Sequence, residues 1–136
     1  MTIREIMKTN VVTIPADDSL WVVKEIMEFG GTRHLPVVRL GELVGVVSQR
    51  DLLRASLSNV MGLPADEQKV FLEGVKISEV MSAPPISIDP DGTVQEAART
   101  MAQKKIGCLP VLEDGKLVGL VTETDVLEHF SSLEPL

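Results

Sequence analysis

The stretch GELVGVVSQRDLL at residues 41–53 decides the fold, because it returns as GKLVGLVTETDVL at residues 115–127. The offset between the two copies is 74 residues, and at this offset residues 3–54 align with residues 77–128 without a gap. The segments IREIM and HLPVV agree in the same way with ISEVM and CLPVL. A repeat of about half the chain predicts two copies of one small unit, with function where the copies meet.

The composition of the 136 residues indicates a globular chain with an aliphatic interior. Apolar residues make up 44% of the sequence and aromatic residues only 3%, which is enough apolar material for a packed core. The length fits one domain or two very small ones that share a core. The formal net charge of −7 argues against a nucleic-acid partner, because phosphate binding needs a basic surface.

The sequence also bears on where the protein works. A single cysteine excludes an internal disulfide and suits a reducing compartment. The first ten residues carry Arg4, Glu5 and Lys8, so they lack the apolar core of a signal peptide. No apolar run approaches the ~20 residues that a membrane helix needs. We therefore expect a soluble cytoplasmic protein with no membrane partner.

Each copy has the same order of secondary-structure patterns. Apolar residues at helical spacing predict a short helical lead-in, then a brief strand and a helix of about three turns. Two nearly continuous aliphatic runs joined by a tight turn predict buried strands, and a final helix follows. Each unit is therefore expected to be β-α-β-β-α, which is an α+β fold. The predicted strands are 11–14, 34–38 and 43–48 in the first copy and 86–88, 108–112 and 117–122 in the second, with final helices from Gln49 and Glu123.

Residues 55–76 have no counterpart in the other copy. Their apolar residues and low Gly and Ser content predict an ordered connector rather than a flexible linker, with a helix from Ala65 to Leu72. The predicted organisation is a first domain at residues 1–58, a helical connector at 59–75 and a second domain at 76–136.

A motif of Gly, two apolar residues, Ser or Thr, and Asp three residues later stands where each last strand meets a helix. Its hydroxyl and carboxylate are Ser48 and Asp51 in one copy and Thr122 and Asp125 in the other. A helix start favours anions, and a carboxylate can accept hydrogen bonds from a vicinal diol, so a ribose with a phosphate fits both. The same residues also form an ordinary helix cap. The motif in one copy alone favours capping, and ligand binding remains open.

The order of these features resembles a tandem pair of CBS domains, a Bateman module. The resemblance rests on the lead-in, the Leu-Pro-Val strand, the glycine before the buried strand and the helix start with its Asp, and covers nearly the whole chain except part of the connector. It implies two β-α-β-β-α CBS units packed through their sheets with pseudo-twofold symmetry and two related clefts between them. Family members commonly bind AMP, ADP, ATP or S-adenosylmethionine in such clefts.

The resemblance also implies a ligand-binding set in the first copy. Asp51 would hold the ribose hydroxyls, while Ser48 and Arg50 would face ribose or phosphate. Arg33 and His34 occupy the basic position before the Leu-Pro-Val strand and would meet phosphate, although His34 can also be an ordinary strand-edge residue. The remaining positions would border the base. The full set is Thr13, Arg33, His34, Leu35, Pro36, Ser48, Arg50 and Asp51.

The second copy matches the family less well. Gly107 and Cys108 replace the basic pair, and Thr124 replaces Arg50. The second site therefore loses three candidate phosphate partners. We expect unequal sites, with the Asp51 site favoured for phosphorylated ligands. The set implied in this copy is Ser87, Leu109, Pro110, Thr122, Thr124 and Asp125.

These features support three hypotheses on function. The leading one is a stand-alone regulatory sensor that binds an adenosine-containing ligand and signals to an unidentified partner protein. It needs no cofactor or metal, and the resemblance implies a homodimer. The alternative is a ligand-free interaction or oligomerisation scaffold. An enzyme is the weakest hypothesis, because Ser48, His34 and Asp51 come with no nucleophile elbow or oxyanion donors.

Overall fold

The computed structural model describes residues 1–133, except the side chains of residues 58 and 59. The last three residues of the predicted second domain, 134–136, lie outside the described residues. The chain forms two compact units: unit 1 combines Met1–Val11 with Ile86–Leu136, and unit 2 is Val12–Pro85. Both units contain helices and a short sheet, which confirms the α+β fold class.

Most elements begin and end where the sequence patterns predict, but the first strand of each copy is shorter. The exposed residue Val12 contributes no pairing, and only two residues of the predicted strand 11–14 and its continuation pair with a neighbour. In the second copy Ile88 alone pairs with Val111. The elements are α1 (Ile3–Ile6), β1 (Ile14–Pro15), α2 (Leu20–Gly30), β2 (His34–Arg39), β3 (Glu42–Ser48), α3 (Gln49–Asn59), α4 (Ala65–Glu73), a 3-10 helix (Ile77–Glu79), α5 (Val94–Lys104), β4 (Cys108–Glu113), β5 (Lys116–Thr122) and α6 (Glu123–Ser131).

The two sheets share one hairpin register. In unit 2, β1 runs parallel to β2, and β2 pairs antiparallel with β3 so that His34 faces Ser48. In unit 1, β4 pairs with β5 so that Cys108 faces Thr122. Both hairpins turn through two residues with positive φ, of which Asp114 has φ 52° and Gly115 has φ 78°. This conformation confirms the predicted tight turn, since positive φ at both positions matches the twist of the strands.

Each unit has its own aliphatic core, as the continuous apolar runs of the strands predict. In unit 2, Leu35 and Val47 of the hairpin pack with Leu20 of α2, and all three are buried. In unit 1, Leu109 and Val121 occupy the corresponding positions. Burial of each such side chain contributes about 1.5–3 kcal/mol to folding.

The lead-in of each copy packs against the sheet of the other copy. The backbone of Lys8 exchanges two hydrogen bonds of 2.9 Å with Leu120 in unit 1, and the backbone of Ser82 is paired in the same way with Val46 in unit 2. The motif glycine lies under this contact: a Cβ built on Gly119 would stand 2.6 Å from the sulfur of Met7 in the lead-in. Each compact unit therefore joins the lead-in of one copy to the sheet and helices of the other.

Candidate functional site

The junction between β3 and α3 in unit 2 is fixed by a reciprocal pair of hydrogen bonds. The backbone N–H of Ser48 donates to Oδ2 of Asp51 at 2.8 Å, and the backbone N–H of Asp51 donates to Oγ of Ser48 at 3.1 Å. This is a capping box, which confirms the capping interpretation of the motif. It also holds the Asp51 carboxylate at the positive end of the helix, half-buried and with a defined orientation.

The junction between β5 and α6 in unit 1 has the same cap with additional bonds. Oδ2 of Asp125 accepts from the backbone N–H of Thr122 at 2.9 Å and from its hydroxyl at 3.0 Å. Oδ1 of Asp125 lies 3.4 Å from Nζ of Lys8 in the lead-in. Asp125 is only 4% exposed. Both oxygens of this buried carboxylate therefore already have partners within unit 1.

The basic residues predicted in unit 2 lie on the two segments that meet at its junction. The register places His34 opposite Ser48, and the carbonyl of Arg33 accepts the backbone N–H of Gln49 at 2.8 Å. The start of β2 and the start of α3 therefore meet at the same end of the sheet, where Arg33 is exposed. Arg50 is also exposed, in the first turn of α3. Among the described residues, Asp51 forms no ion pair of 4.0 Å or less.

The residues expected to border the base lie along β1 and β2. Thr13 is exposed and directly precedes Ile14, which pairs with Val37, so Thr13 stands level with Pro36. Leu35 is 1% exposed and belongs to the core. The structure thus directs the Leu35 side chain into the interior of unit 2, where its backbone is in register with Val47.

The corresponding residues of unit 1 have the same placement without the charges. Ser87 is exposed and precedes Ile88, whose N–H donates to the carbonyl of Pro110 at 3.0 Å. The carbonyl of Gly107 accepts from Glu123 at 3.0 Å, as Arg33 accepts in unit 2. Desolvation by burial raises the pKa of the Cys108 thiol to about 12, so this position carries no charge at neutral pH. The remaining two predicted residues are Leu109, in the core, and Thr124, exposed in the first turn of α6.

Lys8 contacts the unit 1 carboxylate, and the sequence-based prediction omits it. At the 74-residue offset Lys8 aligns with Ser82, so the two lead-ins place different side chains beside the two carboxylates. This difference between the copies was the available signal. It could be interpreted only once each lead-in was known to pack on the sheet of the other copy.

The described part of the chain offers neither a metal cluster nor a membrane helix. Within residues 1–133, no group of three or more His, Cys, Asp or Glu side chains could hold a metal ion. Over the same residues, every helix is too short or too polar to cross a membrane.

The repeated hairpin and its capped carboxylate define a duplicated α+β module with one helix-start site in each unit. Comparison with protein families identifies the module: the CBS domain matches residues 3–58 and again residues 77–132. The chain therefore belongs to the CBS-domain family, and the resemblance derived from the sequence is confirmed.

Individual relatives agree with this assignment. A CBS domain-containing protein of Dictyostelium discoideum is 32% identical over 98% of this chain and 94% of its own length. An inosine-5'-monophosphate dehydrogenase of Korarchaeum cryptofilum is 34% identical over 86% of the chain, but the chain spans only 22% of that enzyme. Among solved structures, the CBS domain pair of protein MJ0100, in complex with 5'-methylthioadenosine and S-adenosyl-L-methionine, superposes with a TM-score of 0.81. It is 25% identical, and the match covers 96% of both chains.

Proposed function

We propose that this chain is a regulatory module that binds an adenosine-containing ligand at its strand-to-helix junctions and passes the ligand state to a partner protein. AMP, ADP, ATP and S-adenosylmethionine are the candidate ligands. The junction of unit 2 is the preferred site for a phosphorylated ligand, with Asp51 on the ribose and the basic residues Arg33, His34 and Arg50 towards phosphate. The module works in the cytoplasm as a homodimer, without a catalytic step or a cofactor.

The observation that carries the proposal is the meeting of separate chain segments at the end of the sheet where the helix that contains Asp51 begins. Residues before β1, at the start of β2 and at the start of α3 meet at one end of the unit 2 sheet. The Asp51 carboxylate is half-buried and already oriented by Ser48, so binding a diol would require little reordering of this side chain. Two exposed arginines lie on the same segments, Arg33 directly before β2 and Arg50 in the first turn of α3. A carboxylate next to cations matches the diol and phosphate of a nucleotide.

The magnitudes agree with shared contributions from several residues. A hydrogen bond from a charged carboxylate contributes about 1.5–3 kcal/mol net. Micromolar affinity requires about 8 kcal/mol, so the base and the phosphate must supply the rest. The net charge of −7 repels nucleotides at long range, but exposed charges are screened beyond about 8 Å at physiological salt. The local arginines therefore matter more than the total charge.

The relatives support the chemical class of the ligand. The MJ0100 domain pair was solved with 5'-methylthioadenosine and S-adenosyl-L-methionine, both of which contain an adenosine. The dehydrogenase relative supports a module that accompanies other domains, because the chain matches only 22% of its length. Its catalytic activity is therefore not proposed for this chain. A ligand here would act by favouring one conformation or assembly over another, which requires different affinities for the two.

Isothermal titration calorimetry on the full chain tests the proposal with AMP, ADP, ATP and S-adenosylmethionine in turn. We expect saturable heat with at least one of the four. Folded protein that gives no heat with any of them contradicts the adenosine-ligand proposal.

The capping boxes favour a second candidate, a ligand-free interaction or oligomerisation scaffold. Capping alone explains why both copies have an Asp three residues after Ser or Thr. If the chain is a scaffold, Asp51→Ala changes the stability of the helix. It leaves binding of a protein partner unchanged, and it leaves the melting temperature with nucleotide added unchanged relative to that without. In the sensor, the same substitution removes the nucleotide-dependent thermal shift of the Asp51 site.

A further inference from the structure

The carboxylates of Asp51 and Asp125 differ in the hydrogen-bond and ion-pair partners that they already have. Oδ1 of Asp125 is paired with the Lys8 ammonium at 3.4 Å, and its Oδ2 accepts two bonds from Thr122. Asp51 accepts the N–H of Ser48 and, among the described residues, has no ion-pair partner within 4.0 Å. A diol that approaches Asp125 must therefore displace Lys8, whereas a diol that approaches Asp51 displaces no ion-paired side chain of residues 1–133 outside the undescribed side chains 58 and 59.

We propose that Lys8 is a tethered competitor that occupies Asp125 and makes the unit 1 junction the weaker adenosine site. This inference rests on the proposed function and names the residue that regulates one of its two sites. It assigns a specificity role to the lead-in, a segment 117 residues distant in sequence from the carboxylate it covers.

The Lys8 side chain is placed so that a ligand can displace it from Asp125. This side chain is 66% exposed, so the ammonium can return to water at little desolvation cost, while the Asp125 side chain it covers is only 3% exposed. The tether is firm, because the Lys8 backbone is fixed to Leu120 by two hydrogen bonds of 2.9 Å. Since an exposed partner weakens an ion pair, the expected effect on ligand affinity is modest, about two- to fivefold.

Unit 2 provides a matched control within the same molecule. Ser82 holds the place of Lys8, and its backbone pairs with Val46 five residues before Asp51, as Lys8 pairs with Leu120 five residues before Asp125. The side chain of residue 82 is therefore placed to reach Asp51. Ser82→Lys should create in unit 2 the pair that Lys8→Ser removes from unit 1.

The test titrates AMP and S-adenosylmethionine into full-length variants, each checked by circular dichroism and thermal melting. Asp51→Ala leaves only the unit 1 junction, and Asp125→Ala leaves only the unit 2 junction. Adding Lys8→Ser to Asp51→Ala should tighten binding about two- to fivefold. Adding Ser82→Lys to Asp125→Ala should weaken it by a similar factor. Lys8→Arg in the Asp51→Ala background should leave the ligand affinity equal to that of Asp51→Ala alone, since the cation is kept. Salt at 0.5 M should reduce every difference in affinity, because ion pairs are screened.

The outcomes separate this inference from the function on which it rests. Suppose that the Asp125→Ala protein binds ligand, but that adding Lys8→Ser to Asp51→Ala leaves the ligand affinity unchanged or lowers it. This result overturns the role of Lys8 as a competitor and leaves the proposed function intact. A loss that is confined to AMP would make Lys8 a phosphate-binding residue instead. Absence of binding in both single-site proteins, with or without Lys8→Ser, overturns both proposals. A merely structural role of Lys8 would change the melting temperature without the reciprocal effect of Ser82→Lys.

Discussion

The junctions at Asp51 and Asp125 have one backbone design and two electrostatic environments. Both carboxylates close a capping box at the first turn of a helix, and both lie at the end of a hairpin with the same register. Asp51 is half-buried near exposed arginines, whereas Asp125 is buried and paired with Lys8. Duplication therefore preserved the residues that shape the junction, while the residues that set its charge diverged. The residues that form the hairpin and the cap are therefore separate from the residues that set the charge at each junction.

The largest expected effect is on ligand affinity at the two carboxylates. Asp51→Ala removes a charged acceptor that has no ion-paired cation to displace among the residues the structure describes. The binding free energy of AMP at that site should therefore weaken by about 1.5–3 kcal/mol, roughly 10- to 150-fold in affinity. Asp125→Ala should reduce AMP affinity less than Asp51→Ala does, because the Asp125 carboxylate is already paired with Lys8. Calorimetric titration of AMP measures both.

A carboxylate outside the junctions provides the control for this pair. Asp66 is exposed in the first turn of α4, so Asp66→Ala removes the same charge from another helix start and should leave AMP binding unchanged. The predicted order of the sites would be contradicted if Asp125→Ala reduced AMP affinity more than Asp51→Ala.

The second prediction concerns the motif glycines, where the two units should behave alike. A Cβ on Gly45 would stand 2.8 Å from the carbonyl oxygen of Ser82, and one on Gly119 would stand 3.0 Å from that of Lys8. Each Gly→Ala substitution must push the lead-in away, at a cost of about 1–3 kcal/mol in the free energy of unfolding. The two losses should be similar, because the carbonyl oxygen is closer at Gly45 but the methionine sulfur is closer at Gly119, 2.6 Å against 2.7 Å. Urea unfolding measures both.

Gly30 is the matched control for these substitutions. It ends α2, and a Cβ added there would meet no neighbouring atom within 4 Å, so Gly30→Ala should be neutral or slightly stabilising. Wild-type stability of both motif variants would refute the close approach of the lead-ins.

Much of the fold could be predicted because its determinants are local. Strand periodicity and the Asp114-Gly115 turn specify each hairpin, and the spacing of Ser48 and Asp51 specifies a cap. The first strands were predicted too long, because apolar residues such as Val12 indicate a strand even where no neighbour is present to pair with them.

The exchange of lead-ins could not be derived from the sequence, because it depends on long-range packing. Each lead-in has the same pattern and would fit either sheet by its apolar residues alone. The pairing of Lys8 with Asp125 follows from that exchange, so the sequence comparison correctly identified unequal basic residues but missed this cation. The ligand roles of the junction residues stay predictions.

The third prediction separates the two caps. The Thr122 hydroxyl accepts from the backbone N–H of Asp125 and also donates to the Asp125 carboxylate at 3.0 Å, whereas the Ser48 hydroxyl accepts from the backbone N–H of Asp51 without a matching bond to the described Asp51 carboxylate. Loss of a cap costs about 0.5–2 kcal/mol, so Thr122→Ala should fall near the upper end and Ser48→Ala near the lower. Thr122→Ser retains the hydroxyl and is the control. Thermal or urea unfolding of the three variants gives the order, and an equal loss in the two alanine variants would exclude a special role for the second bond.

At neutral pH the smallest effect is expected at Cys108, which holds in unit 1 the place of His34 in unit 2. Burial raises the pKa of this thiol from 9.0 to about 12, so the folded protein keeps a proton that the unfolded chain releases above pH 9. Below pH 9 both states are protonated and stability does not depend on this group. Between about pH 9 and 12 the free energy of unfolding should fall by up to about 1.4 kcal/mol per pH unit, or about 1 kcal/mol by pH 10. Cys108→Val removes the thiol and should remove this part of the slope, while all other ionisable groups are the same in both proteins. Urea unfolding at pH 8, 9 and 10 measures the difference, and parallel slopes would mean that the thiol ionises in the folded protein as readily as in the unfolded chain.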